Sequence, residues 1–574
     1  MPEHPTRLQG GRQDLSSWGR SRPINFLDAD PNMQRVLQMH MGEQYHAHWP
    51  MLNRTASLAA TSLNEMATSC AQPQNLPVLR RYDSAGNRRE EVAFHPQYDS
   101  MGALIWSTAV LSVLGNPGNE LLSCSLTYLL SHNGEGGHVC PVACTAGLIK
   151  LLSKLGTPNQ REHYLPRLLT TDYSRRLHAS QFVTEVQGGS DVGSNDCRAT
   201  FDSKHGAYRI QGEKWFCSVA DAQVFVVTAR LEDAADGTSG LGLFLVPRLV
   251  NGEVNEFAIR RLKDKLGTRA LATAEIDFHA ALAEPIGPLE DGFRNLVGIV
   301  LDTSRTYNAV AACGMMRRAF MEAQTYSQFR KAFGETILQY PAVQRILARM
   351  KTLTTAAVAS TFRMLRMGDT IAVGEGSDEL VAARRIQVMI NKYWTSTLCT
   401  RVVRDGIEVL GGNGTIEDFS VLPRLYRDAL VLETWEGTHN TLCAQVLRDC
   451  ATRQLHAHWL AELGQSLEQV SHQALQGHAA RAGERLEQVS ARLQRLLDTD
   501  ELTAGAHIRG TVDQMCALYA YVSLLLEAEW ELNQEMPGDK LQVIDFFRHF
   551  YIDGVDPLEL SDLLTLQKEL ALSF

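Results

Sequence analysis

No run of about 18 uninterrupted apolar residues occurs in the 574-residue chain, which argues against a membrane-spanning helix. Clustered cysteines are lacking too. The eleven are scattered from Cys70 to Cys516, and only Cys140 and Cys144 lie close together. One such spacing without a second pair is a poor zinc pattern, so no metal site is expected, and reduced core thiols of a cytosolic protein are the simplest account. Residues 1–25 carry Arg7, Arg12, Arg20 and Arg22 but no apolar segment of the kind a secretory signal needs. Their arginines and serines faintly resemble a mitochondrial transit peptide, a pattern that Glu3 and Asp14 interrupt, and a flexible arm before the first helix is the expectation. Basic residues are scarce at the far end. Residues 451–574 hold nine Lys+Arg against nineteen Asp+Glu, so they carry the whole net charge of −10 and residues 1–450 balance. An acidic surface repels phosphate backbones, which argues against nucleic acid as a partner.

What is present is ordinary globular material, 44% hydrophobic and 21% charged, in a chain long enough for several structural units. Residues 101–170 read as helical from the recurrence of Leu111, Leu114, Leu121, Leu122 and the run from Ala143 to Leu155. From Arg175 the chain alternates and turns often. Strands are expected at Leu177–Thr184, Tyr208–Phe216, Val224–Ala229, Leu243–Val246, Glu256–Arg261 and Ala272–Phe278, with Gly-containing turns between several of them, which predicts a mainly antiparallel β unit. After Pro285 helical spacing returns. Asp291–Phe333 reads as one helix or two, Pro341 opens another, residues 378–410 form a third that ends at Gly411-Gly412, and a further helix starts near Thr438. The acidic tail carries amphipathic stretches, with Leu518–Leu526 and Leu558–Leu572 expected to pack. Its clusters at Glu527–Glu535 and Asp553–Asp562 are expected to repel a duplex.

Three segments suit a ligand. In Gln181-Phe182-Val183-Thr184-Glu185-Val186-Gln187-Gly188-Gly189-Ser190-Asp191 a strand runs into a Gly/Ser/Asp turn that exposes backbone N–H groups; a plain β-turn explains it equally. Gly411-Gly412-Asn413-Gly414 follows a helix, so it is not a Rossmann fingerprint, and it reads as a helix C-cap or as a place of close backbone approach. Thr434-Trp435-Glu436-Gly437-Thr438-His439-Asn440 sets a carboxylate just before a helix start. Partial burial there would raise its pKa toward that of a base that abstracts a proton next to a carbonyl, while an acidic helix cap is the plainer account.

Together the three resemble the acyl-CoA dehydrogenase family of flavoenzymes. Thr184-Glu185 with its Gly/Ser/Asp turn is followed, in the family's order, by Gly212-Glu213-Lys214-Trp215-Phe216-Cys217-Ser218, by Arg330-Lys331-Ala332-Phe333-Gly334, by the Gly-Gly-Asn-Gly turn and by Glu436-Gly437-Thr438. Arg81-Tyr82-Asp83, Phe94-His95-Pro96, Leu262–Gly267, Met315–Phe320 and Leu422–Arg427 resemble the AidB-like branch. The resemblance covers roughly residues 75–450. It implies an α+β fold with an N-terminal helical domain (71–175), a middle antiparallel β domain (176–284) and a C-terminal helical domain (285–450), between an N-terminal extension (1–70) and an extra acidic helical tail (451–574).

The resemblance also implies roles. FAD is the expected cofactor. Phe182, Val183, Thr184, Phe216, Cys217 and Ser218 would border its ring, with Thr184 and Ser218 hydrogen-bonding the polar edge. Gly189 and Ser190 would meet the pyrophosphate. Arg330, Phe333, Gly411 and Gly412 would embrace the adenine end of a neighbouring subunit's FAD, and Thr438 and Asn440 would close the site. Glu436 would be the base that takes the α-proton of an acyl-CoA thioester. Arg305 matches an arginine near the base, its alternative part being an ion pair between helices. Expected partners are acyl-CoA, further copies of the chain in a homotetramer, and electron-transferring flavoprotein or another acceptor. The expected location is the cytoplasm, or the mitochondrial matrix in a eukaryote. Val186 stands where the family usually has proline, and Glu408 where many members have glutamine. A flavoprotein of the AidB type that binds nucleic acid and protects it from alkylation, with little turnover, is the alternative function.

Overall fold

The computed structural model describes residues 7–573. In chain order the helices are α1 (Arg7–Arg20), α2 (Pro31–Met41), α3 (Gln44–Ala60), α4 (Ser62–Cys70), α5 (Pro96–Trp106), α6 (Glu120–Leu130), α7 (Val139–Leu155), α8 (Pro158–Leu168), α9 (Gly292–Asn295), α10 (Asp302–Phe329), α11 (Pro341–Ala372), α12 (Asp378–Leu410), α13 (Leu422–Thr434), α14 (His439–Arg453), α15 (Leu455–Leu467), α16 (Gln476–Leu497), α17 (Glu501–Asn533), α18 (Lys540–Phe547) and α19 (Leu563–Leu572). The strands are β1 (Val78–Tyr82), β2 (Arg88–Ala93), β3 (Ala179–Phe182), β4 (Arg198–Asp202), β5 (Ala207–Ser218), β6 (Val224–Leu231), β7 (Leu241–Pro247), β8 (Leu249–Val250), β9 (Glu253–Val254), β10 (Phe257–Leu262), β11 (Thr273–Pro285), β12 (Lys331–Ala332) and β13 (Glu335–Thr336). The chain forms two compact units: one comprises the chain through Thr61, Tyr128–Gly134 and everything from Asn308 onward, the other Ser62–Thr127 and Glu135–Tyr307.

The second unit is built on a seven-stranded sheet. Strands β11, β5, β4, β6 and β7 pair in a closed ring, β10 adds to β11, and β3 adds to β6. The pairings of β6 with β3 and β4 are parallel and the rest antiparallel. Both β6 and β7 are buried along nearly their whole length, which is why their sequences are continuous apolar runs rather than alternations. The six expected strands are present. The hairpin β1–β2 and the short β4 were not expected, because their residues are largely charged or exposed and give no apolar alternation. The hairpin is fastened by its polar groups: Arg81 donates to the Ile259 carbonyl, and buried Glu90 accepts the Ile259 N–H at 2.7 Å.

The first unit is helical. Pro341 stands at the first turn of α11, and Ser377 caps α12, which ends at Gly411 with φ +63°. Helix α12 packs against α11, α13, α14, α15 and α17, so it is buried on most sides and its sequence shows little amphipathic stripe. The stretch before residue 25, expected to be a flexible arm, is helical from Arg7 to Arg20, and buried Trp18 stacks on Phe419 at 5.0 Å. Its first six residues lie outside the described residues.

The acidic tail departs from expectation. Glu527, Glu529 and Glu531 do not face solvent but are buried. Lys540 pairs with Glu527 and, at 2.8 Å, with Glu531, which Arg35 of α2 also meets at 3.1 Å. Burial pushes the Glu527 carboxyl above its ordinary pKa, and the Lys540 ammonium works against that rise. Part of the tail's negative charge is therefore buried in ion pairs, with Glu531 and Asp539 joining the tail to Arg35 of α2. Leu518, Leu524, Leu525, Leu566 and Leu570 pack as expected, whereas Leu558 and Leu564 are exposed. Among the described residues, no helix is long and apolar enough to cross a membrane and no group of His, Cys, Asp and Glu is set to hold a metal.

Candidate functional site

In the second unit, the end of β3 and the end of β5 are tied together. The Trp215 N–H donates to the Thr184 carbonyl at 2.8 Å. Beneath that bond Lys214 donates to Glu185 at 2.6 Å, and neither side chain is more than 3% exposed. Lys214 also donates to the Val183 carbonyl at 3.2 Å, while Glu185 accepts the N–H groups of Asp196 and Cys197. Sequence reading singled out Thr-Glu and Gly-x-Lys as separate motifs, and the structure shows that their charged members are partners. Gly212, at φ +134°, lies where a Cβ would come within 2.9 Å of the Cys197 backbone, and a Cβ on Gly188 would meet Asp191 O at 2.5 Å. The missing Cβ of Gly189, by contrast, has only ordinary contacts. Ser190 is exposed on the same turn.

The alternation of β5 sorts the expected ring-bordering residues. Phe216 is 53% exposed and Ser218 half-buried, but Cys217 is 0% exposed, its thiol pushed well up by burial. Phe182 is likewise fully buried and packs on Phe225 at 4.8 Å. Phe182 and Cys217 therefore turn their side chains to the core and offer a ligand only their main chain, whereas Val183, Thr184, Phe216 and Ser218 are partly or largely exposed. Ser218 Oγ lies 3.0 Å from Thr273 Oγ1, which accepts from Lys265 at 2.8 Å. Lys263 sits 3.4 Å over the Trp215 ring. These lysines and Thr273 line a cleft of about 210 Å³ with Leu262 and Arg269. Arg305 is in the same unit, buried on α10.

In the first unit, Arg330 ends α10 and opens the hairpin β12–β13, both it and Phe333 being exposed. Phe333 has φ +52° and is 99% exposed, in a tight turn and edge-on to Tyr340 at 6.3 Å. A bulky aromatic so presented costs both strain and solvation unless something covers it. At the end of α12, nothing stands within 4 Å of a Cβ built on Gly411 or Gly412, so Gly411 answers to its positive φ and Gly412 to open space; Gly414 is forced by the Ile407 carbonyl at 2.6 Å.

Glu436 lies in the connection between α13 and α14, half-buried, with φ +57°. Thr438 caps α14 by accepting the Thr441 N–H, and Asn440 is exposed in its first turn. Three residues of α12 that sequence reading missed, Lys392, Ser396 and Thr400, support this segment together with His439 at the start of α14. Lys392 donates to the carbonyls of Glu433 and Gly437 at 3.1 and 2.9 Å. Thr400 donates to the Glu433 carboxylate, and Ser396 lies 3.3 Å from His439 Nε2. Burial, then the Lys392 and Arg509 cations, lowers the His439 pKa to about 4, so its ring is neutral near pH 7. The sequence signal for Lys392 was a lone charge inside an otherwise uncharged helical stretch, residues 386–400.

Three family models match the chain: the acyl-CoA dehydrogenase C-terminal domain over residues 290–451, the acyl-CoA dehydrogenase middle domain over residues 180–281, and the N-terminal domain of the adaptive response protein AidB over residues 19–175. Acyl-CoA dehydrogenase family member 11 of Caenorhabditis elegans is 38% identical over 320 residues, 54% of this chain and 51% of that protein, so the chain spans about half the length of that relative. The putative acyl-CoA dehydrogenase AidB of Escherichia coli (strain K12) is 33% identical over 389 residues, 65% of this chain and 69% of that one. The crystal structure of Caenorhabditis elegans ACDH-11 in complex with C11-CoA is similar with a TM-score of 0.85 and 26% identity, over 92% of this chain and 91% of that one. On these matches the chain belongs to the acyl-CoA dehydrogenase family, in its AidB-like branch.

Proposed function

We propose that this protein dehydrogenates an acyl-CoA thioester between its α- and β-carbons, with Glu436 as the base. The observation that carries the reading is Glu436 itself, a half-buried carboxylate on a left-handed, braced loop before a helix start. Its carboxylate takes the α-proton. FAD, when bound, supplies the two-electron acceptor for the hydride that leaves the β-carbon. The residues present suit a flavin: Phe216 offers an exposed aromatic face, Thr184 and Ser218 offer hydroxyls at the strand ends, and the turn at Gly189 and Ser190 offers main-chain N–H groups. Phe333 and the open Gly411–Gly412 turn suit an adenine from a neighbouring copy, which supports a site shared between copies of a homotetramer. An acyl-CoA is the proposed substrate because the nematode relative's structure holds C11-CoA; electron-transferring flavoprotein or a similar acceptor would reoxidise the cofactor.

Glu436→Gln tests this. The variant should keep FAD and bind acyl-CoA, while flavin bleaching on anaerobic addition of substrate falls by at least about 10²–10⁴-fold. Bleaching at the parent rate would move the role to another residue.

A further inference from the structure

Glu436 is held where it is by a residue that no motif contains. The loop between α13 and α14 is four residues long, and two of them in succession, Glu436 at φ +57° and Gly437 at φ +104°, are left-handed. A glutamate in that conformation is strained and persists only where its surroundings over-determine it. The over-determination comes from α12. Lys392, 0% exposed, donates to the Glu433 carbonyl at 3.1 Å and to the Gly437 carbonyl at 2.9 Å. One carbonyl lies three residues before Glu436 and the other directly after it, so a single ammonium clasps both sides of the loop at its bend. Two neighbours on α12 secure the flanks, Thr400 on the Glu433 carboxylate and Ser396 against His439. Tyr393 meets the His439 ring edge-on at 5.0 Å, and its hydroxyl donates to Asp513 at 2.5 Å and accepts from Arg509 at 3.2 Å, both residues of the tail helix α17. The loop is thus backed by α12, which is in turn backed by the tail.

We propose that Lys392 is a positioning residue for Glu436: it fixes the left-handed bend from which the carboxylate acts. The proposal rests on the reading of Glu436 as the base. A lysine has only donors, so its geometry is satisfied by carbonyls, and removing it leaves two part-buried acceptors without the bonds that shape the loop.

The test uses the FAD-loaded full-length protein and whichever acyl-CoA, from a saturated series of graded length, bleaches the parent flavin fastest. Lys392→Met should keep FAD content and bind that acyl-CoA within about threefold, yet bleach about 10²-fold more slowly. Lys392→Gln, which keeps donors but not charge, should recover part of the rate, and it stands in if the methionine variant loses FAD. In a Glu436→Gln background, Lys392→Met should slow the residual bleaching no further, because a residue that acts through Glu436 has nothing left to position. An unchanged rate in Lys392→Met, with Glu436→Gln inactive, overturns this inference alone. So does a further loss in the double variant, or loss of FAD from both lysine variants, which would make Lys392 a folding residue. Parent-like bleaching by Glu436→Gln overturns the base assignment, and this inference falls with it.

Discussion

Replacing Lys214 by methionine should loosen the second unit far more than its volume change suggests. Methionine nearly matches the lysine stem, so packing is kept, but Glu185 is left as a carboxylate that is 3% exposed and has lost its 2.6 Å partner. Its bonds to the Asp196 and Cys197 N–H groups remain and hold it in place, so it can neither turn to water nor be well solvated where it is. Breaking one side of such a pair costs roughly 3–5 kcal/mol, against about 0–1 kcal/mol for an exposed pair. At about 2–4 °C per kcal/mol for a domain of this size, the transition of the β unit should fall by roughly 6–20 °C. Differential scanning fluorimetry of the FAD-free protein would show it as a transition moved to lower temperature. Glu185→Leu added to Lys214→Met removes the stranded charge and should restore part of the loss. A fall of less than about 2 °C in the single variant would refute the reasoning, since it would mean that the pair contributes no more than a surface bridge.

Other outcomes follow from the same geometry. Ser190→Trp and Arg330→Glu should each release FAD more readily, and Phe333→Ala should do so only in proportion to the assembly it completes; equilibrium dialysis with sedimentation analysis reads both, and a fully FAD-loaded monomer would contradict the shared site. Stability should fall on acidification. Burial lowers His132 to about 3 and His138 to about 4, so the unfolded chain binds protons from about pH 6.5 downward while the native rings stay neutral. Stability should be full above that pH and decline by roughly 3–5 kcal/mol per ring as pH falls to each native value, followed by urea titration at stepped pH. Duplex DNA should bind weakly at about 150 mM salt, because Arg481 is paired with Asp553 and Glu484, and Arg492 with Thr511. Submicromolar binding weakened by Arg492→Ala with Arg495→Ala in a gel-shift titration would favour the nucleic-acid function instead.

The sequence by itself determined what is local. Ser377, Gly411 and Pro341 punctuate α11 and α12 where their chemistry requires, and apolar alternation or continuity places six strands of the sheet. The motifs' order along the chain was enough to indicate the family, because each is a contiguous run. What joins those runs was decided only by tertiary structure. Glu185 meets Lys214 across 29 positions, Lys392 reaches the Glu436 loop across 41 and 45, and Arg35 reaches Glu531 from the other end of the chain. Periodicity states that a strand has two faces, but not which one the neighbouring strands will cover, so Phe182 and Cys217 could be read as facing a ligand when they face the core. Charge counts have the same blindness: a carboxylate contributes equally to the net charge whether it faces water or a buried lysine, and only the packing of α17 against α2 and α18 turned Glu527 and Glu531 from surface into interior.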